Sequence, residues 1–104
     1  MLNINMIPNG TTLTIALEGS LDVASSPLLE AELHRTLDGV TSLELDLAGL
    51  EYITSSGLRV LLYARKVMIR QGKMKVTHVN DVISRIFEVS GFKNILTIEK
   101  SPSD

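Results

Sequence analysis

Apolar and polar residues alternate from the start of the chain. Leu13, Ile15 and Leu17 alternate with Thr12, Thr14 and Ala16, the period of a strand with one buried face. Residues 3–7 and 12–18 flank Pro8-Asn9-Gly10-Thr11, and Asn-Gly is a strong tight-turn signal, so the chain opens with a hairpin. Gly19-Ser20-Leu21-Asp22 breaks the alternation. Ser25-Ser26-Pro27 then reads as a helix start, with serine at the cap and proline in the first turn. Leu29, Leu33 and Leu37 share one face of that helix, and Gly39 closes it.

Leu43, Leu45 and Leu47 alternate with Glu44 and Asp46, a further half-buried strand. Ser55-Ser56-Gly57 opens a helix running to about Gln71. Arg59, Tyr63, Lys66 and Arg70 form a narrow stripe on it, and most of the remaining arc is apolar, which predicts a central helix covered on most sides. Arg65 falls within that arc, where only a snorkelling stem accounts for it. Gly72 ends the helix and residues 74–78 form a short strand. Asn80 and Asp81 start a helix with Val82, Ile86 and Val89 on one side, Ile83 and Phe87 beside them, and Gly91 as its stop. Residues 95–99 make a last strand, and residues 101–104 read as a flexible tail.

The order is β-β-α-β-α-β-α-β, one α/β domain over residues 1–104. Strands alternating with helices predict a mostly parallel sheet of four to five strands, with the hairpin supplying an antiparallel edge and three or more helices. Alternation within the strands, in place of continuous apolar runs, predicts that one sheet face is less covered than the other.

Composition removes several function classes. Of 104 residues 44% are hydrophobic, enough to fill a core. Ten basic against twelve acidic residues leave a charge of -2 with no basic patch, which argues against nucleic-acid binding. Cysteine is absent, so disulfides and thiol catalysis are excluded, and the two histidines, His34 and His78, lie far apart, so no metal site is expected. The first residues lack the pattern of a secretory signal, and no apolar run approaches the roughly 20 residues that cross a bilayer. A cytoplasmic domain without direct membrane insertion is expected. Asn9-Gly10-Thr11 matches a glycosylation sequon but reads as the hairpin turn.

Chemistry concentrates in residues 43–62, where a buried strand feeds two serines and a glycine at a helix mouth. The first-turn N–H groups and the helix dipole suit an anion there. Two readings stand side by side. Ser55 or Ser56 serves only as an N-cap and Gly57 only relieves crowding, or Gly57 admits a partner's backbone beside a functional hydroxyl. Glu44 and Asp46 share a strand face, as solvated acids also do, and neither histidine has a visible catalytic partner.

The stretch Asp46-Leu47-Ala48-Gly49-Leu50-Glu51-Tyr52-Ile53-Thr54-Ser55-Ser56-Gly57-Leu58 resembles the signature of STAS domains, specifically bacterial anti-sigma factor antagonists. Gly19-Ser20-Leu21-Asp22 matches that family's Gly-x-Leu-Asp, and Ile86-Phe87-Glu88-Val89-Ser90-Gly91-Phe92 matches the end of its third helix. The resemblance spans essentially the whole chain. It implies a non-enzymatic, cofactor-free switch that binds an anti-sigma factor, often a GHKL-type serine kinase, while unphosphorylated. A PP2C-type phosphatase reverses the modification. By position the acceptor is Ser55, with Ser56 and Thr54 as alternatives, and the partner-binding residues are Asp22, Thr54, Ser55, Ser56, Gly57, Leu58 and Arg59. Thr54 stands where antagonists usually carry aspartate, and Arg59 where a small residue is common, so this surface is more positive than the family's norm. The resemblance leaves two alternatives for this chain: a STAS subunit of a membrane transport complex such as the lipid-asymmetry ATP-binding-cassette system, or a partner-switching regulator of secretion or biofilm output. A small hydrolase or phosphotransferase would need a base near Ser55, and the sequence offers none.

Overall fold

The computed structural model describes residues 1–100 of the chain. Strands β1 (Leu2–Asn9) and β2 (Thr12–Leu21) form the hairpin, and helix α1 (Ser26–Thr36) follows. Strand β3 (Ser42–Ile53), helix α2 (Ser55–Met68), strand β4 (Lys73–Val79), helix α3 (Asp81–Ser90), a 3-10 turn (Phe92–Asn94) and strand β5 (Thr97–Lys100) complete it. The expected element order is therefore observed. The five strands form one sheet in the order β1-β2-β3-β4-β5, antiparallel between β1 and β2 and parallel thereafter.

Each crossover steps the same way across the sheet. Right-handed crossovers then place α1, α2 and α3 on a single face. Burial follows that topology. Leu13, Ile15 and Leu17 of β2, Leu43, Leu45 and Leu47 of β3, and Val76 of β4 are buried. The opposite face carries Thr14, Ala16, Glu44, Asp46 and Lys75, none of them buried. The predicted difference between the faces is present.

Several boundaries differ from those expected. β2 does not stop at Gly19 but bulges, with register shifts at Ala16/Glu18 and Gly19/Ser20. Gly19 accommodates this with φ of +102°, and the Ser20 N–H donates to the Met1 carbonyl at 3.1 Å. β3 continues past Leu47 to Ile53, pairing with this irregular end of β2. The last strand begins at Thr97 because Phe92–Asn94 wind into the 3-10 turn. The proposed tail, residues 101–104, lies outside the described residues.

Helix α2 is less enclosed than its apolar arc predicts. Gly57, Val60, Leu61, Ala64 and Met68 are buried, but Leu58, Leu62 and Val67 are half-buried and Ile69, just past the helix, is exposed. Arg65 does more than snorkel: its Nε donates to the Ile95 carbonyl at 3.0 Å, tying α2 to the segment before β5. Helix α3 buries Ile83, Ser84 and Phe87 and leaves Val82 and Val89 exposed. Asn80 sets that rotation. Its Oδ1 accepts from the Ile83 N–H and its Nδ2 donates to the Leu50 carbonyl, both at 2.9 Å, so the cap is fastened to β3.

Candidate functional site at the mouth of the second helix

The ends of β2 and β3 lie at the same edge of the sheet, the carboxyl edge of parallel strands, where α/β proteins assemble their sites. Thr54 joins them. Its N–H donates to the Leu21 carbonyl at 3.0 Å, and its own carbonyl accepts from the Leu58 N–H at 3.0 Å. Thr54, in extended conformation, is the N-cap of α2, so the capping role expected of Ser55 or Ser56 belongs to the preceding residue. Its side chain makes no capping bond, and Oγ1 is buried without a hydrogen-bond partner among the described residues. The first turn contains no acidic residue either, which leaves its N–H donors uncompensated by any side chain.

The triplet divides sharply by exposure. Ser55 is exposed, Ser56 half-buried and Gly57 buried. A Cβ on Gly57 would lie 2.7 Å from Ile53 Cγ1 and 2.8 Å from Leu21 Cγ. The close approach that Gly57 permits is thus internal, between α2 and the ends of β2 and β3. This corrects the expectation that Gly57 itself meets a partner. Leu58 is half-buried against the core, and Arg59 is exposed.

Asp22 follows the Leu21 carbonyl that holds Thr54. Its Oδ1 accepts from the N–H groups of Ala24 and Ser25, both at 3.0 Å, which makes it a turn-forming aspartate bonded to its own backbone. Ser25 Oγ lies 2.8 Å from the Ser20 carbonyl and 3.0 Å from Asp22 Oδ1, while the Asp22 N–H donates to it at 2.9 Å. The Ser25 N–H, and after it the Ser25 hydroxyl, hold the Asp22 carboxyl below its ordinary value. The loop is therefore braced by its own hydrogen bonds and anionic.

Sequence reasoning missed the apolar part of this edge. Val23, Leu28 and Tyr52 are exposed by 75%, 57% and 52%, an apolar surplus at a loop position, in the first turn of α1 and near the end of β3. The signal was available in Val23, an apolar residue inside a turn sequence.

The other candidates have partners elsewhere. Glu44 Oε2 accepts from Thr77 Oγ1 at 2.8 Å, and Asp46 Oδ1 lies 3.1 Å from His78 Nδ1, so the two acids are separately engaged on the open sheet face. His78 occupies left-handed backbone, φ +56°, inside the β4 irregularity. His34 Nδ1 and Tyr63 Oη are 3.0 Å apart, a link between α1 and α2. Among the described residues no group of three or more side chains could hold a metal ion, and no helix is long and apolar enough to cross a membrane.

Sheet order and helix mouth together define a small α/β domain that offers a hydroxyl beside an anionic loop. A family model described as STAS domain matches residues 3–104. The chain belongs to the STAS domain family. It is 37% identical to BtrV of Bordetella bronchiseptica, named as a candidate anti-sigma factor antagonist, over 86% of this chain and 78% of that one. It is 26% identical to the anti-sigma-B factor antagonist of Bacillus subtilis, over 93% of this chain and 90% of that one. Among solved structures, the anti-sigma factor antagonist SpoIIAA in its unphosphorylated form superposes with a TM-score of 0.74 at 15% identity, covering 97% of this chain and 90% of that one. The phosphorylated form of SpoIIAA, a Bacillus cell-fate determinant, superposes with a TM-score of 0.71 at 19% identity, covering 94% and 90%. These relatives are named as regulators, not as enzymes.

Proposed function

We propose that this chain is an anti-sigma factor antagonist switched by phosphorylation of Ser55. Unmodified, it binds an anti-sigma factor that is itself a GHKL-type serine kinase. That kinase transfers the γ-phosphoryl group of ATP to Ser55 Oγ: an O–P bond forms, the β–γ bridging bond breaks, the hydroxyl proton is lost and ADP leaves. A PP2C-type phosphatase hydrolyses the ester and resets the switch. The partner surface comprises Ser55, Ser56, Thr54, Leu58 and Arg59 with the Asp22 loop, and the exposed Val23, Leu28 and Tyr52 supply its apolar contacts.

The observation that carries this reading is the exposure of Ser55 on the first turn of α2, beside a buried Gly57 that anchors the turn. A phosphate brings roughly -1.5 to -2 charge at pH 7. The helix mouth tolerates that charge, so the fold survives. Within a packed interface it must be desolvated, at a cost of several kcal/mol when unpaired. About 2.7 kcal/mol already weakens binding a hundredfold. Family membership and the existence of SpoIIAA in two phosphorylation states support the same reading.

Incubation with the cognate anti-sigma kinase and ATP, read by peptide mass spectrometry, should give one phosphate on Ser55 and none on Ser55→Ala. Calorimetric titration should show Ser55→Ala binding that kinase as wild type does and Ser55→Asp binding far more weakly. Phosphate incorporated elsewhere, or equal affinity of all three proteins, defeats the proposal.

A further inference from the structure

We infer that Arg59 is the built-in counter-ion of the phosphate on Ser55, holding it in cis along the first turn of α2. The inference rests on the phosphorylation of Ser55 proposed above and adds the residue that receives the new charge. Ser55 and Arg59 are both exposed and stand four apart on one helix, the spacing at which side chains meet, with Cβ atoms about 5–6 Å apart. No hydrogen bond or ion pair engages the arginine among the described residues, as is also true of Lys66, Arg70, Lys73 and Arg85, which lie outside the first turn of α2. Arg35 is held by Glu32 at 2.7 Å, Lys75 by Glu99 at 3.7 Å, Lys93 by Glu88 at 3.3 Å and Lys100 by Asp81 at 3.6 Å. Arg65 is bound to the Ile95 carbonyl. Arg59 has no acidic partner among the described residues.

The surroundings make such a cation useful. The adjoining loop carries the ionised Asp22, bound to its own turn and repulsive toward a second anion. Thr54 contributes no charge, and the first turn holds no acid that would compete for the guanidinium. Arg59 is thus the cation nearest in the helix to the incoming phosphate, and its planar fork matches phosphate oxygens in a way a point charge does not. Modification then changes the surface twice: an anion appears at Ser55, and a cation once offered to the partner turns inward along the helix.

The test uses the full-length chain carrying phosphoserine at position 55, inserted during translation so that no kinase is involved. Phosphorus NMR follows the second phosphate ionisation, whose unperturbed value is near 6. Arg59→Gln should raise it by about half a unit, Arg59→Lys by less, and high salt should shrink the difference. Lys66→Gln, removing an exposed cation two turns further along, should leave it within about 0.1 unit of the unsubstituted protein. Coincident titrations of the Arg59→Gln and unsubstituted phosphoproteins would overturn the inference. So would an equal shift from Lys66→Gln, because the effect would then be general charge. Failure of Ser55 to accept phosphate from a kinase is a separate result and would be seen only in the ATP experiment.

Discussion

Gly57→Ala measures whether the helix mouth is anchored as described. The added methyl would lie 2.7 Å from Ile53 Cγ1, 2.8 Å from Leu21 Cγ and 2.9 Å from Leu21 Cδ2. Carbon atoms rest comfortably at about 3.5–4.0 Å, so the neighbours must yield by roughly 1 Å. Neither has room: Leu21 is 0% and Ile53 1% exposed, and both belong to strand ends that Thr54 ties together. Overpacking of this kind costs about 1–3 kcal/mol, and the better helix propensity of alanine returns at most about 1 kcal/mol. A net loss of about 1–2 kcal/mol corresponds to a fall in Tm of about 5–15 °C for a domain this small. Urea denaturation followed by circular dichroism should show a lower midpoint with an unchanged slope, since no extra surface is exposed. Wild-type stability or better in Gly57→Ala would show that Leu21 and Ile53 do not close over this position. The assignment of Gly57 to the interior, and with it the fixed presentation of Ser55, would then fail.

Two further substitutions read the same edge. Thr54→Val removes a buried hydroxyl that has no partner while keeping its shape, and should stabilise the domain by about 1 kcal/mol, a rise of several degrees in Tm; a fall would reveal a bond to that oxygen. Asp22 is bound more weakly by protons when folded than when unfolded, because Ser25 donates to its carboxylate. Its stabilisation is therefore complete above the unfolded carboxylate range and is lost as pH falls through the folded value. Asp22→Ala should be less stable than wild type at pH 7, and the gap should narrow as pH falls below the ordinary carboxylate range, checked by urea midpoints over a falling pH series; a constant gap would remove the carboxylate from the account.

The hairpin, the strand alternation and the caps Asn80 and Gly91 were legible in the sequence because each is a local preference the fold did not override. The buried face of α3 was not. Val82-Ile86-Val89 and Ile83-Phe87 are adjacent stripes of one helix, and the choice between them is made by the Asn80 bond to Leu50, a contact across 30 residues. The far half of β3 was hidden for a related reason. Residues 48–53 pair with a bulged partner, so strict alternation lapses where the pairing continues. Within the site, the sequence located the turn but could not divide it. Ser55, Ser56 and Gly57 form one polar triplet, and only the arrival of Leu21 and Ile53 decides which member is sealed.

That division has a mechanical consequence. A switch that acted by reshaping the domain would have to put its charge where the core feels it, and the stability of a chain this size would set the limit. Here the proposed acceptor hydroxyl of Ser55 and the buried contact of Gly57 are two residues apart on one helical turn, one exposed and the other sealed. A phosphate on Ser55 disturbs none of the Leu21, Ile53 and Thr54 contacts that hold α2 on the sheet, and the helix dipole favours it modestly. Under the proposed switch, the free energy of modification would therefore fall on the partner docked over the serine. A domain can be marginally stable, as small domains are, and still carry a switch worth several kcal/mol, provided the two are separated in this way.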